Sequence, residues 1–390
     1  MTLQLKLSKQ EELGPETPVD LGAIASPQYG RYLDDFVPDQ VFAHPRGYTF
    51  QASEIRAFAT TFMQANPIFL NSQYAKAYGF ADIPASPQMV FNVVLSLGVH
   101  NDSEKAMANL GYYDAQFLRP VYAGDTIRSL TKVLSRKDRG ADKPGIAHIQ
   151  TLGVNQNDEV VLQYERKIMV IWRGDRAPTS PAAADSPAFP WQDDASYDIP
   201  FDSNGKAHVL TGGGNYFEDF QPGQVIAHTN GRTITEEHVP WTYRVGNTHP
   251  LHYDRVYSKG LSGPMSGEPI VYGGLVFAWL EGLASRDVTE NAVWELGFTE
   301  GYHTQPAFAG DTVFAISRVL AVDSLKDSAT GVGLVSFQLI GVKDIKPLEA
   351  LDQFGADLFL KENQKRKLGK DKISAKIFEI ERRLLIKKRP

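Results

Sequence analysis

Tyr32 to Phe50 reads YLDDFVPDQVFAHPRGYTF, and Tyr216 to Ile234 reads YFEDFQPGQVIAHTNGRTI. About half the positions agree without a gap. The agreement continues downstream. Asn109 to Ile127 (NLGYYDAQFLRPVYAGDTI) returns as Glu295 to Val313 (ELGFTEGYHTQPAFAGDTV), and Leu152-Gly153-Val154 returns as Ile340-Gly341-Val342. The separation grows only from 184 positions (32 to 216) to 186 (109 to 295). Tyr164-Glu165-Arg166-Lys167-Ile168 then matches Ile380-Glu381-Arg382-Arg383-Leu384, 216 positions on (164 to 380). The second copy has therefore gained about thirty residues, between about Lys343 and Lys376. A repeat of this kind is one structural unit used twice.

The chain divides on this basis into an arm (1–29), a first copy (30–173), a linker (174–204) and a second copy (205–390) with its insertion near 343–376. The linker carries Pro178, Pro181, Pro187, Pro190 and Pro200 among Ala, Ser and Asp. Such a segment buries little apolar surface and reads as an extended connector.

Within the second copy, Gln224 to Thr235 has mixed β character and Glu236 to Arg244 reads helical. Pro250 opens a short helix through about Tyr257, since proline suits a first helical position. Ile270 to Arg286 is a longer helix, with Val271, Leu275, Val276, Trp279, Leu280 and Leu283 at helical spacing. Four strands follow: Val293 to Phe298, Thr312 to Val322, Gly333 to Val342 and Ile377 to Ile386. A long apolar helix followed by a run of antiparallel strands needs a sheet curled around the helix. The expected class is α+β, a tandem (double) hot-dog fold with an antiparallel sheet wrapped around a central helix in each half.

Composition narrows the function. The 390 residues are 42% hydrophobic and 22% charged, as in ordinary globular proteins. There is no cysteine, which excludes disulfides, thiolate metal sites and cysteine nucleophiles. A net charge of -6 argues against general nucleic-acid binding. The basic stretches Lys361 to Lys372 and Arg382 to Arg389 read as a solvated face. No apolar run approaches the roughly 18 residues of a membrane helix, and the N-terminus lacks a signal-peptide pattern. The cytoplasm is the expected compartment, with no membrane association.

The chemistry-bearing stretch is Val245 to Asp254, VGNTHPLHYD. It resembles the hydratase motif of MaoC-like (R)-specific enoyl-CoA hydratases, roughly G-D-x-N-P-L-H. Gly246, Pro250, Leu251 and His252 match. Asn247 stands where the family has Asp, and His249 where it has Asn. The resemblance implies that His252 is the acid/base acting on water. An amide at Asn247 can orient water but cannot take its proton, so His252 acts alone or shares the work with His249.

A second segment, Pro269 to Leu275 (PIVYGGL), resembles the family's I-V-H-G-M-L, with Tyr272 in place of the His. The resemblance implies that Gly273 points its backbone N–H at the thioester oxygen, with Gly274 and Tyr272 as substrate-side neighbours. A helix N-terminus supplies unpaired N–H groups for that purpose.

The first copy has Asn66-Pro67-Ile68-Phe69 in the equivalent stretch. Phe69 stands for His252, Gln64 for Asn247, and Pro87, which has no N–H, falls near the glycine position. That copy is expected to be non-catalytic, either structural or shaping the acyl-CoA groove.

The chain as a whole is similar to the mesaconyl-CoA hydratases (β-methylmalyl-CoA dehydratases), long double hot-dog members of the MaoC group. Val154 to Glu165, Ile270 to Gly274 and His303 to Asp311 carry that likeness. It implies hydration of a 2-enoyl-CoA or dehydration of a 3-hydroxyacyl-CoA, with a branched dicarboxylic acyl group as one substrate. A free carboxylate would need a cation or donor, for which Arg244, Arg255, Arg286 and His303 are candidates. No cofactor or metal is expected beyond the coenzyme A of the substrate, and the expected assembly is a homodimer. Alternatives are a carrier-protein dehydratase, a hot-dog thioesterase using Glu281, and a non-catalytic acyl-CoA binding protein. Gly124-Asp125 and Gly310-Asp311 read as turns.

Overall fold

The computed structural model describes residue 14 and residues 16–140, 143–173, 186–207, 211, 214–325 and 331–390. Residues 1–13 of the expected arm, and Pro178 and Pro181 of the expected linker, lie outside the described residues. The first copy runs β1 (Val41–Thr49), α1 (Ala52–Thr61), α2 (Ser72–Ala77), α3 (Pro87–Gly98), β2 (Ala106–Phe117), β3 (Thr126–Lys137), β4 (Gly145–Val154) and β5 (Val160–Val170). The second runs β6 (Val225–Thr233), α4 (His238–Arg244), α5 (Arg255–Lys259), α6 (Gly273–Val288), β7 (Ala292–His303), β8 (Thr312–Ser324) and β9 (Val332–Lys343). It ends with α7 (Pro347–Phe354), α8 (Glu362–Lys365) and β10 (Lys376–Lys387).

Among the described residues, the ten strands form one antiparallel sheet in the order β1-β3-β4-β5-β2-β7-β10-β9-β8-β6. The order is a palindrome of the two copies, joined where β2 meets β7. Each half curls around its own long helix, α3 or α6, and the two helices touch. This is the double hot-dog. Its apolar core is continuous through both halves, from Phe58 and Phe91 to Trp279 and Phe337.

The join explains an expectation that fell short. Val293 to Phe298 is only the first half of β7, which runs on through Gly301 to His303, although glycine disfavours strands. Gly297 instead lets β2 approach: it sits at φ +144, and a Cβ there would lie 1.7 Å from the Ala115 carbonyl oxygen. Two other elements also differ. The single helix expected from Pro250 is two: a 3₁₀ turn at Pro250–His252, then α5, capped afresh by Asp254 accepting from the Val256 and Tyr257 N–H groups. Ile270 to Tyr272 is extended, pinned by the Val271 N–H on the Ala307 carbonyl, so the long helix begins only at Gly273.

The insertion lies between β9 and β10. Ala350, Leu358 and Ile373 cover Ile316, Ile340 and Val342 on the outer sheet face. The described end of the linker does the same for the first copy, where Phe189, Trp191 and Tyr197 pack on Leu130 and Leu152. The basic C-terminal stretches are not a solvated face throughout. Lys365, Lys376, Arg382 and Lys387 are buried: the last strand is internal to the sheet, and the insertion encloses Lys365, beside Glu362, and Lys376, whose Nζ donates to the Leu358 and Leu360 carbonyls. Gly124 and Gly310 adopt φ +97 and +98, and Asp125 and Asp311 each accept from the backbone N–H three residues back, as turns require.

Candidate active site

A cavity of about 280 Å³ lies between the two copies. The second copy contributes Asn247, His249, His252, Tyr272, Gly273 and His303. The first contributes Asn109, Tyr112 and Arg166 from β2 and β5, and Leu95 and Val99 from the end of α3. The first copy thus supplies a large share of the cavity wall, though the second supplies more.

The local sequence sets the histidines. Pro250 starts a 3₁₀ turn whose cap is His249: its Nδ1 accepts from the Leu251 N–H at 3.2 Å. The neutral ring therefore carries its proton on Nε2, which is buried without a hydrogen-bond partner in the protein. His252, at the end of the turn, places Nδ1 3.1 Å from the Ile270 carbonyl. A carbonyl only accepts, so Nδ1–H donates and Nε2 keeps its lone pair. Burial, with His249 nearby, pushes the His252 imidazole down to about 3, and burial takes His249 to about 4. Both are uncharged acceptors or donors near neutral pH. Their ring centroids are 5.7 Å apart.

Asn247 is 2% exposed, and its Oδ1 accepts from the His249 N–H at 2.9 Å. The polar atom left for the cavity is the donor Nδ2. In the first copy Gln64 makes the same bond to the Asn66 N–H, at 3.0 Å.

Gly273 opens the 16-residue α6, which has no side-chain cap. Leu275 and Val276 return their N–H groups to the Tyr272 carbonyl. The Gly273 N–H precedes the first helical bond, at the positive end of the helix dipole and on the cavity wall. The His303 ring lies over this glycine, with Nε2 3.3 Å from the Tyr112 hydroxyl. Burial takes His303 down to about 4, so it presents no cation. The Tyr272 ring stands 5.3 Å from His252, and its hydroxyl meets Ser96 Oγ on α3 at 3.5 Å.

The sequence pattern of the mesaconyl-CoA hydratase family fits residues 20–348. This chain belongs to that family. It is 30% identical over 321 residues to a β-methylmalyl-CoA dehydratase of Chloroflexus aurantiacus, covering 81% of this chain and 89% of that protein. It is 29% identical over 325 residues to a mesaconyl-CoA hydratase of Cereibacter sphaeroides, covering 80% and 90%. Among solved structures, a MaoC-domain dehydratase from Chloroflexus aurantiacus superposes with a TM-score of 0.78 at 26% identity, over 94% of this chain and all of that one. A Mycobacterium tuberculosis protein described as a double hot-dog superposes with a TM-score of 0.69 at 18% identity, over 91% and 98% of the chains, a likeness of fold.

Not every expected site residue of this family member reaches the cavity. Gly274 turns away from it, toward α3. Its carbonyl accepts from Asn92, and a Cβ there would lie 2.1 Å from Asn92 Oδ1, so this glycine serves close helix packing. Glu281 is also outside the cavity, buried against Arg382 and Gln64. It offers no carboxylate for thioester hydrolysis, and among the described residues no Asp or Glu lines the cavity. Arg244 lies over Trp241, Arg255 pairs with Glu268 at 2.7 Å, and Arg286 sits beside Asp287. None of the three lines the cavity. The arginine that does is Arg166, which sequence reading passed over, together with Tyr112 and Asn109.

The pseudo-symmetric position between the copies holds only about 10 Å³. Asn66, Phe69 and Pro87 stand there for His249, His252 and Gly273. Trp294 fills the space that Ala108 leaves open in the large cavity. No helix-terminal N–H is offered, since α3 begins with proline and Ser86 caps it.

Proposed function

We propose that this chain adds water reversibly to a 2-enoyl-CoA, and removes it from the 3-hydroxyacyl-CoA, in the larger cavity between its copies, with a branched dicarboxylic thioester such as mesaconyl-CoA as substrate. The observation that carries this is the pairing of two groups. His252 offers an Nε2 lone pair, and Gly273 offers a free N–H at the start of α6.

Water oxygen bonds to the β carbon while one of its protons passes to His252 Nε2. The alkene electrons shift onto the thioester oxygen, which the Gly273 N–H stabilises as negative charge develops. The imidazolium then delivers its proton to the α carbon, and the carbonyl re-forms. The sum is one water added. With no carboxylate on the wall, the counter-charge for the transient imidazolium is the enolate itself, which favours prompt return of the proton. Asn247 Nδ2 and the His249 ring are placed to orient the water. These proton transfers need no cofactor beyond the substrate's own coenzyme A. A homodimer of the double chain, using the exposed faces of its edge strands, and a cytoplasmic location among CoA thioesters complete the reading.

The test is loss of enoyl-thioester absorbance with a panel including mesaconyl-CoA and crotonyl-CoA. Hydration that vanishes in a folded His252→Ala protein supports the assignment. Turnover unchanged by that substitution, or free thiol as the product, sinks it.

A further inference from the structure

Arg166 and Arg382 occupy corresponding places in the two copies, on β5 and β10. Both are buried, at 3% and 2% exposure. Their surroundings differ in charge. Arg382 is saturated: Nε and Nη2 bond Glu295 at 2.7 and 2.9 Å, and Nη2 also meets Glu281 at 3.3 Å. The corresponding first-copy residues, 186 positions earlier, are Asn109 (109 and 295) and Leu95 (95 and 281). Where the vestigial site has two carboxylates, the open cavity has an amide and a methyl-bearing side chain.

Arg166 keeps one carboxylate, and it is not in the cavity. Nη2 bonds both Asp102 oxygens at 2.9 Å from the side of the His44-Thr131 cluster. Nε is buried without any hydrogen-bond partner. Asn109 Nδ2, on the same wall, is likewise buried without a directed acceptor. A buried donor left unpaired costs free energy, and native proteins rarely keep one without use. Here two lie on one cavity wall, one of them on a guanidinium. Arg166 also pairs in register with Tyr112, whose hydroxyl reaches His303 over Gly273. The guanidinium is therefore on the same wall as the thioester end of the site, a few side chains away.

We infer that Arg166, with Asn109, forms a subsite supplied by the non-catalytic copy that binds the free carboxylate of a dicarboxylic acyl-CoA. The inference rests on the hydratase reading for its substrate class, but its test does not need turnover. Asp102 holds the guanidinium through Nη2 and leaves Nε without a protein acceptor. In the vestigial site Glu295 takes the corresponding Nε, which closes it to any anion.

The experiment is calorimetric binding of two unreactive saturated thioesters, methylsuccinyl-CoA and 2-methylbutyryl-CoA, which differ by the terminal carboxylate. Wild type should bind the dicarboxylic ligand roughly tenfold to a hundredfold more tightly, the range of a charge-assisted hydrogen bond or two. Asn109→Glu copies the vestigial site and should bring the ratio to within about threefold of one. The double variant Asp102→Leu with Arg166→Met removes both charges without stranding either and should do the same. Folding of each is checked by thermal melt, and either folded variant suffices. A wild-type ratio near one, or a ratio that survives in a folded variant, overturns the subsite. A ratio that behaves as expected without any hydration of enoyl-CoA sinks the hydratase reading and leaves the subsite standing.

Discussion

Gly273 and His303 touch so closely that a Cβ on residue 273 would lie 2.5 Å from His303 Cε1 and 2.6 Å from its Nε2. No side chain fits there unless the ring moves. Gly273→Ala should therefore displace either the imidazole or the first turn of α6, and with it the N–H aimed at the thioester oxygen. Loss of one such donor costs about two to three orders of magnitude in kcat. If the cause is steric, adding His303→Ala should recover at least part of that loss. A double variant no better than Gly273→Ala would show that the glycine acts in some other way.

Removing the imidazole itself is more direct. His252→Ala should lower kcat by roughly two to four orders of magnitude at unchanged fold, as loss of a general acid/base does. The pH profile of wild type adds a second check. Burial and His249 depress His252 to about 3, so its lone pair is available well below the usual histidine range. kcat/KM should then show no acid limb between pH 7 and about 5. A limb centred near 6.5 would contradict a desolvated His252.

The vestigial site makes a stability prediction. Arg382→Met strands Glu281 and Glu295 as buried carboxylates, and such a loss costs about 3–5 kcal/mol. Burial already raises the Glu281 carboxyl, with Arg382 opposing it. Chemical denaturation of the single variant should show this loss, while Glu281→Leu/Glu295→Leu/Arg382→Met should regain most of it. An Arg382→Met protein as stable as wild type would mean that the cluster is hydrated.

Buried and half-buried histidines shape the acid response of the fold, His238 among them, lowered by burial. His44, His249 and His303 are pushed down to about 4 and His252 to about 3, chiefly by burial. In the unfolded chain each titrates near 6.5. Below that pH the unfolded state binds protons that the folded state refuses, so stability is complete above about 6.5 and is lost as pH falls toward 4. Each histidine contributes at most about 1.4 kcal/mol per pH unit within that window. Thermal melts from pH 7.5 to 4.5 should show a steadily falling Tm. A Tm flat to pH 5 would place these rings in water.

The amino-acid sequence by itself determined the repeat, the helix and strand order of the second copy, the insertion before the last strand, and the motif around His252 and Gly273. All are local: periodicity, caps and turn residues act over a few positions, and the duplicated register shows which positions correspond. It also showed that the first copy had lost His252 and Gly273, as Phe69 and Pro87. Four matters were decided only by the tertiary structure. Gly274 faces a helix of the other copy. Glu281 meets Arg382, 101 residues away (281 to 382). The basic last strand is interior, although Ile380, Arg382 and Leu384 alternate onto one face, a signal that the charge count hid. Arg166 lines the cavity from the copy that carries no acid/base. The reason is common to all four. Side-chain partners across the pseudo-twofold come from strands and helices far apart in the chain, and whether a charge is neutralised, stranded or free is fixed by those partners and not by its neighbours in sequence.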